Sequence, residues 1–213
     1  MIPIAALKWE RNVAEVQFPS RILRRFAETV ALELGADQFP VMLGLANLPA
    51  KWATPESFLK MDPADSAKAY SALQGAMRSY YGRGARGVLL RVGQRLWNHM
   101  LQDAAFGIKA QSAVIKRLPL STRPRPTLEL LIKILGGRSG SITLHTLDLD
   151  LLFVDHASPT ADGHREAAPI CFVTQGLIRE SLYWSSGARF DVEEAACKAQ
   201  GQQACEFKIT TGK

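Results

Sequence analysis

The 213-residue chain is poor in cysteine, in histidine and in long apolar runs, and each shortage excludes a class of protein. Its apolar stretches, such as 128–135 and 147–154, carry charges and reach only about half of the length that a membrane span needs. Charged residues from Lys8 to Arg11 interrupt the N-terminal apolar residues, so we expect no signal peptide. With three cysteines in all, we expect a cytoplasmic protein whose thiols are reduced.

Sequence signatures of catalysis and of nucleotide binding are also scarce. No serine lies in a G-x-S-x-G elbow, so no catalytic triad can be read. The segment Gly82–Gly87 matches G-x-G-x-x-G, but a predicted helix precedes it where a dinucleotide fingerprint needs a strand. The four histidines fit packing or surface positions. We therefore expect no catalytic residue and no site for a nicotinamide or flavin cofactor.

The composition predicts a folded chain with an uneven charge. Hydrophobic residues make up 47% of the chain and charged residues 22%, which fits a globular core and excludes disorder as the main state. The net charge is +6, yet residues 78–138 alone hold 12 basic and 2 acidic side chains. Such a segment can bind nucleic acid, acidic lipid or an anionic ligand, or it can be a solvated helix face. Because no zinc finger, RNP motif or recognition-helix pattern accompanies it, we expect no nucleic-acid partner.

Apolar residues recur at helical intervals through the first two thirds of the chain. Asp62 is an N-cap candidate with Pro63 at the first helical position, so we expect a helix from there to near Gly82. Thr127 is predicted to cap a short helix, 128–135, that ends at the Gly136–Gly137 pair. Other predicted helices span 20–34, 85–101 and 171–185, and a loop-rich stretch with Pro40, Pro49 and Pro55 follows the first of them.

The period then changes from helical to alternating, which is typical of strands. One predicted strand places four apolar side chains on a common face, and further strands are predicted at 188–193 and 205–209. The four side chains of the first strand are Leu147, Leu149, Leu151 and Phe153.

The order of elements predicts an α+β fold in which N-terminal helices pack on a mostly antiparallel sheet. We expect an N-terminal helical extension over residues 1–60, packed on a main domain over residues 61–213.

The three cysteines and one glutamate are the residues with the clearest chemical meaning. Glu194 shares its strand parity with Val192 and should point inward, where a lone carboxylate needs a partner. Cys205 also points inward by parity, Cys171 opens a predicted helix, and Cys197 lies in the connection between the last strands. Three thiolates and a carboxylate can hold zinc in a tetrahedron. Alternatively, the cysteines are reduced and buried, and Glu194 bonds to backbone amides or to a basic side chain.

Residues 169–209 resemble the 4-vinyl-reductase-like domain. The resemblance rests on Cys171, on Gly176-Leu177, and on the run E-x-x-C-x-A-x-G-x-x-x-C-x-F that begins at Glu194. A weaker resemblance covers residues 60–213. The family includes the J protein of bacteriochlorophyll biosynthesis, historically called an 8-vinyl reductase, and the sensor domains of phenol-responsive regulators. Its fold is similar to small TRAPP subunits and to haem-based nitric-oxide sensors.

The resemblance implies a structural zinc. Phenol-sensing members bind zinc through Cys, Glu, Cys and Cys at the three intervals that separate Cys171, Glu194, Cys197 and Cys205 here. Those four residues are the metal ligands that it implies. The sequence departs from the sensors at Gln175, where they carry an aromatic residue, so a ligand can differ in size and polarity.

The resemblance also implies a TRAPP-like ligand-binding fold, a homodimer, and a buried pocket for a small apolar molecule. Apolar side chains with few polar anchors suit a hydrocarbon, an aromatic compound or a tetrapyrrole precursor. Each candidate for the pocket fits ordinary core packing as well, and the candidates are Trp97, Phe106, Phe153, Phe172 and Trp184.

Three functions follow from the residues and the resemblance. The first is a small-molecule binding protein with a structural zinc, linked to bacteriochlorophyll biosynthesis or photosystem assembly. The second is a scaffold that acts through dimerisation. The third is an enzyme, which the resemblance makes an 8-vinyl reductase of a divinyl protochlorophyllide. The residues favour binding over catalysis, because four protein ligands leave zinc no open position for chemistry.

Overall fold

The computed structural model describes residues 16–35, 37–136 and 140–211 of the chain. Residues 1–15 of the predicted N-terminal extension, and Gly137 of the predicted helix end, lie outside these ranges. The described part holds seven α-helices and four strands: α1 Ser20–Leu34, α2 Gln38–Leu45, α3 Pro63–Tyr81, α4 Ala85–Gln102, α5 Phe106–Ile115, α6 Pro124–Leu135, β1 Ile142–Leu147, β2 Asp150–Asp155, α7 Phe172–Ser186, β3 Asp191–Ala196 and β4 Cys205–Thr210.

The helix boundaries follow local capping chemistry. The Asp62 carboxylate accepts hydrogen bonds from the backbone N–H groups of Ala64 and Asp65, both at 2.9 Å, so α3 starts where the N-cap and Pro63 predict. Gly136 and the glycine at position 187 end α6 and α7 in the left-handed conformation that glycine adopts without strain. The predicted helices α1, α3, α4 and α7 are confirmed.

Three helical features differ from the sequence prediction. Helix α6 begins at Pro124, and Thr127 is not its cap because the Thr127 hydroxyl donates to the Arg123 carbonyl within the first turn. Helices α2 and α5 were not predicted. Pro40 falls in the first turn of α2, where a backbone N–H has no intrahelical acceptor, so the proline does not prevent the helix.

The four strands form one antiparallel sheet in the order β1-β2-β4-β3. The prediction of one strand through Leu147, Leu149 and Phe153 is wrong, because a tight turn at Asp148 divides it into the β1–β2 hairpin. Asp148 has a φ of 53°, and Leu149 is 77% exposed at the tip. Only Leu151 and Phe153 of the predicted apolar face reach the core. The predicted pairing of the last two strands is confirmed, with a bulge after Glu194.

Helix α7 connects the helical part with the sheet, since it contacts both α4 and β3. Helix α1 packs on α3 and α4. The Phe18 ring stacks on Tyr70 with 4.2 Å between centroids, and the Phe26 ring meets the same tyrosine edge-on at 4.6 Å. The described residues of the predicted extension therefore share one hydrophobic core with the rest, while the boundary at residue 60 stays a prediction. Within the described ranges, no helix is both long and apolar enough to cross a membrane.

Candidate metal centre and ligand cleft

Four potential metal ligands converge where α7 meets the end of the sheet. Cys171 is the N-cap residue of α7, and Glu194 lies at the bulge of β3. Cys197 directly follows β3, and Cys205 begins β4. All four side chains are buried, and one ligand atom of each lies within 4.8 Å of the others. The structure thus brings together the residues that the sequence identified.

The sulfur separations match a tetrahedral metal site. The Sγ atom of Cys171 lies 3.9 Å from that of Cys197 and 3.5 Å from that of Cys205, and the last two are 3.9 Å apart. A zinc ion with Zn–S bonds of about 2.3 Å requires sulfur atoms about 3.8 Å apart in a tetrahedron. A disulfide would require about 2.05 Å, and all three thiols are free. The cluster is therefore shaped for an ion and not for a covalent bridge.

Glu194 completes the set of ligands with an oxygen that lacks a partner. Its Oε2 atom accepts a hydrogen bond from the Cys171 backbone N–H at 2.9 Å. Its Oε1 atom is buried and has no hydrogen-bond partner among the described residues. A buried carboxylate oxygen without a partner costs free energy that a metal ion would remove. The neighbouring Glu193 is exposed on the other face of the strand.

Burial and mutual contact shift the acidities within the cluster. Burial raises the pKa of Glu194 to about 8. Hydrogen bonds to Cys197 and Cys205, followed by burial, raise the pKa of the Cys171 thiol well above its usual value. Those thiols donate to Cys197 and lower the pKa of its thiol. Without a cation the cluster therefore retains protons, which a bound metal would displace.

The loop before α7 encloses the metal centre. The Ser158 hydroxyl lies 3.6 Å from the Cys171 sulfur, and the Lys198 backbone N–H donates to the Cys205 sulfur at 3.4 Å. The loop is held to the β3–β4 connection, because the Glu166 N–H donates to the Ala199 carbonyl at 2.8 Å. The buried cluster thus has sulfur-directed donors around it, as metal thiolates require.

The predicted pocket residues do not share one cavity. Trp97 is buried in α4 and meets Trp184 of α7 edge-on, with 5.6 Å between ring centroids. Phe153 pairs with Phe207 across the sheet at 6.1 Å, which is ordinary core packing. Phe106 is 87% exposed at the start of α5, so it lines no buried pocket and its assignment is corrected.

Phe172 lines a cleft beside the metal centre. The cleft has a volume of about 560 Å³ and extends from α4 and α7 to the Glu194 side of β3. The Arg86 guanidinium lies 5.9 Å from the centre of the Phe172 ring. Gln175, at the position where phenol sensors carry an aromatic residue, donates to the Val192 carbonyl on the cleft wall.

Two guanidinium groups give this cleft its polar character. Arg179 donates to the Val192 carbonyl at 3.1 Å, while its Nε atom is buried without a partner among the described residues. Burial, and then the charge of Arg86, lower the pKa of Arg179. Sequence reasoning named neither arginine as a site residue. Their only signal was the excess of basic residues near Arg86, which does not point to a cleft.

The comparisons with known proteins concern the family and the fold. Residues 153–211 match the family model of the 4-vinyl-reductase domain, and this range includes all four candidate metal ligands. An H-NOX protein from S. oneidensis in the Fe(II)NO ligation state is similar in structure, with a TM-score of 0.54, 13% sequence identity, and coverage of 90% of this chain and 97% of that chain. The phenol-responsive sensory domain of the transcription activator PoxR with phenol has a TM-score of 0.49 and 17% identity, covering 67% of this chain and 73% of that chain.

At these identities the structural likeness concerns the fold alone. No curated protein matches the chain. The family resemblance read from the cysteine spacing is confirmed: the chain carries a 4-vinyl-reductase domain over residues 153–211.

Proposed function

We propose that this protein binds a small apolar or aromatic molecule and holds a structural zinc ion. The observation that carries the proposal is the cleft of about 560 Å³ beside Glu194, with one aromatic wall and two guanidinium groups. Sites for small ligands usually measure about 300–1,000 Å³ and combine apolar walls with a few polar anchors. The match to the 4-vinyl-reductase domain and the fold shared with an H-NOX protein support ligand binding over a purely structural role.

The proposed zinc would be held by Cys171, Glu194, Cys197 and Cys205. Their sulfur separations and the unpartnered Oε1 atom of Glu194 fit such an ion. A bound zinc would supply a crosslink between the start of α7 and the ends of β3 and β4. Since all four positions would be occupied by protein atoms, we assign the ion a structural role.

The cleft favours an aromatic ligand with an acidic group. The Phe172 ring offers a flat apolar contact, and Arg86 beside it can pair with a carboxylate. A tetrapyrrole precursor has both features, which is the basis for linking the protein to bacteriochlorophyll biosynthesis or photosystem assembly. We propose that it acts there as a cytoplasmic, homodimeric binding protein.

Native mass spectrometry of the full chain, purified without added metal, tests this proposal. We expect one zinc per chain and an additional organic mass. Zinc on a dimer that carries no small molecule and binds none on titration would favour a scaffold. If divinyl protochlorophyllide and NADPH changed absorbance with the protein present, the protein would be a reductase.

A titration with two probes tests the cleft itself. Protoporphyrin IX carries carboxylates and 1-naphthol does not, so Arg86→Gln should weaken the first by roughly five-fold or more and the second much less. Arg83→Gln is the matched control, because Arg83 is exposed and does not line the cleft. If neither probe binds saturably to the wild-type protein, the cleft is not a ligand site.

A further inference from the structure

Helix α5 exposes an apolar face to solvent. Ile115 is its buried side chain, and the helix packs against α6. On the opposite side, Phe106 is 87% exposed and Val114 is 58% exposed. Helical spacing places Ala110 between them on the same face. A helix on a protein surface normally turns polar side chains outward, so an outward apolar face indicates a contact.

The same face carries positive charge without nearby negative charge. Lys109 and Arg117 flank the apolar side chains, and neither forms an ion pair within the described part of the chain. No acidic residue occurs from position 104 to position 128. The nearest acids on either side are already paired: Asp103 with Arg25, and Glu129 with Arg125 at 3.1 Å.

We propose that this α5 surface, formed by Phe106, Lys109, Ala110, Val114 and Arg117, docks on an anionic lipid bilayer. Phe106 and Val114 enter the boundary between headgroups and acyl chains, and the two cations meet lipid phosphates and carboxylates. The long side chains of Lys109 and Arg117 can keep their charges at the headgroups while their methylene groups lie along the apolar face.

Charge and hydrophobicity together select a lipid surface over other occupants. A symmetric contact with a second copy would bring the cations of both copies together, and like charges repel. A nucleic acid would meet Lys109 and Arg117 but would leave Phe106 and Val114 in water. An anionic bilayer satisfies both features. The α5 surface is separate from the metal centre and the cleft, so the inference does not depend on the proposed ligand.

Co-sedimentation of the full chain with lipid vesicles tests the inference. We expect binding to vesicles of phosphatidylcholine mixed with phosphatidylserine, weaker binding as salt increases, and little binding to phosphatidylcholine alone. Phe106→Ser should weaken binding about ten-fold. Lys109→Glu should weaken it by roughly ten-fold or more, since one basic residue near the membrane contributes about five-fold and the substitution adds repulsion.

Leu32→Ser on α1 is the matched control, because Leu32 is also an exposed apolar residue, 61% accessible, but lies outside the α5 surface. Phe106 makes little buried contact, so Phe106→Ser should keep the wild-type melting temperature. The inference fails if the wild-type protein does not sediment with phosphatidylserine vesicles, or if Leu32→Ser weakens binding as much as Phe106→Ser. It also fails if Phe106→Ser turns a dimer into a monomer in light scattering, since a second copy would then cover the face.

Discussion

Gly93 of α4 and Gly176 of α7 face each other where the two helices come closest. A Cβ atom on Gly176 would lie 3.1 Å from the Gly93 Cα atom and would overlap the Leu90 carbonyl oxygen. A Cβ atom on Gly93 would likewise overlap the Val173 carbonyl oxygen. Both obstacles are backbone atoms, which cannot rotate away. The position of α7, and with it the position of Cys171, therefore depends on two residues without side chains.

Gly176→Ala should destabilise the protein although alanine favours helix formation. Separating two packed helices to admit a methyl group costs typically 1–3 kcal/mol, and the gain in helix propensity is about 1 kcal/mol. We expect a net loss of about 2 kcal/mol, measured by urea unfolding. Gly44→Ala in α2 is the control, because nothing lies within 4 Å of a Cβ atom there. An unchanged unfolding midpoint for Gly176→Ala would mean that the helices are not packed this closely.

Cys197→Ala should release the metal and lower the thermal stability. Cys197 joins the end of β3 to α7 through the cluster, and the binding free energy of a structural metal adds to the free energy of unfolding. We expect the metal content, measured by plasma mass spectrometry, to fall to near zero and the melting temperature to drop by about 10 °C or more.

A pair of glutamate variants separates loss of a ligand from loss of charge. Glu194→Gln removes a charged ligand oxygen, whereas Glu193→Gln removes the same charge from the exposed face of β3. We expect only the first variant to weaken metal binding. A metal-free wild-type protein whose Cys197→Ala variant melts unchanged would contradict the metal centre.

The metal centre was readable from the sequence because strand parity and residue spacing determine which side chains converge. Glu194 and Cys205 point inward by alternation, and the family motif indicated how Cys171 joins them. The division of the strand at Asp148 was not readable, because the alternation of Leu147, Leu149 and Leu151 continues through the turn. Alternation reports period and not direction, so it cannot distinguish one long strand from a tight hairpin.

The cleft could not be predicted for a different reason. Phe172 was among the candidates, but its arginine neighbours come from α4 and α7, whose contact depends on two glycines. A close approach of helices has no periodic signal in one sequence. The predicted pocket therefore listed large apolar residues, and most of them pack in the core.

His164 should make stability depend on pH in the mildly acidic range. Burial, followed by the charge of Arg78, lowers the pKa of His164, and its Nε2 atom lies 3.0 Å from the Ser71 hydroxyl. The unfolded chain thus binds a proton more readily than the folded chain, so this contribution to stability is present above about pH 6.5 and is lost as the pH falls. His164→Gln should reduce the loss of melting temperature between pH 7 and pH 5, roughly the interval in which histidine titrates.

His145→Gln provides the comparison, because His145 is exposed on β1 and contacts the side chain of Thr143. We expect this variant to keep the wild-type pH profile of melting temperature. Equal profiles for His164→Gln and the wild-type protein would exclude His164 as the source.

Arg123 should stabilise the junction between α6 and α7 through its hydrogen bonds. Its Nη1 atom donates to the Ser185 carbonyl at 2.7 Å, and its Nε atom donates to the Leu118 carbonyl at 2.8 Å. Arg123→Met keeps the aliphatic stem but leaves both carbonyls without this donor, and hydrogen bonds from charged groups contribute about 1.5–3 kcal/mol. We expect urea unfolding to report a loss of about 2 kcal/mol. Arg125→Met should cost less than about 1 kcal/mol, because Arg125 and its partner Glu129 are both about half exposed. Equal losses for the two variants would mean that charge near α6, and not the bonds to the Ser185 and Leu118 carbonyls, stabilises the junction.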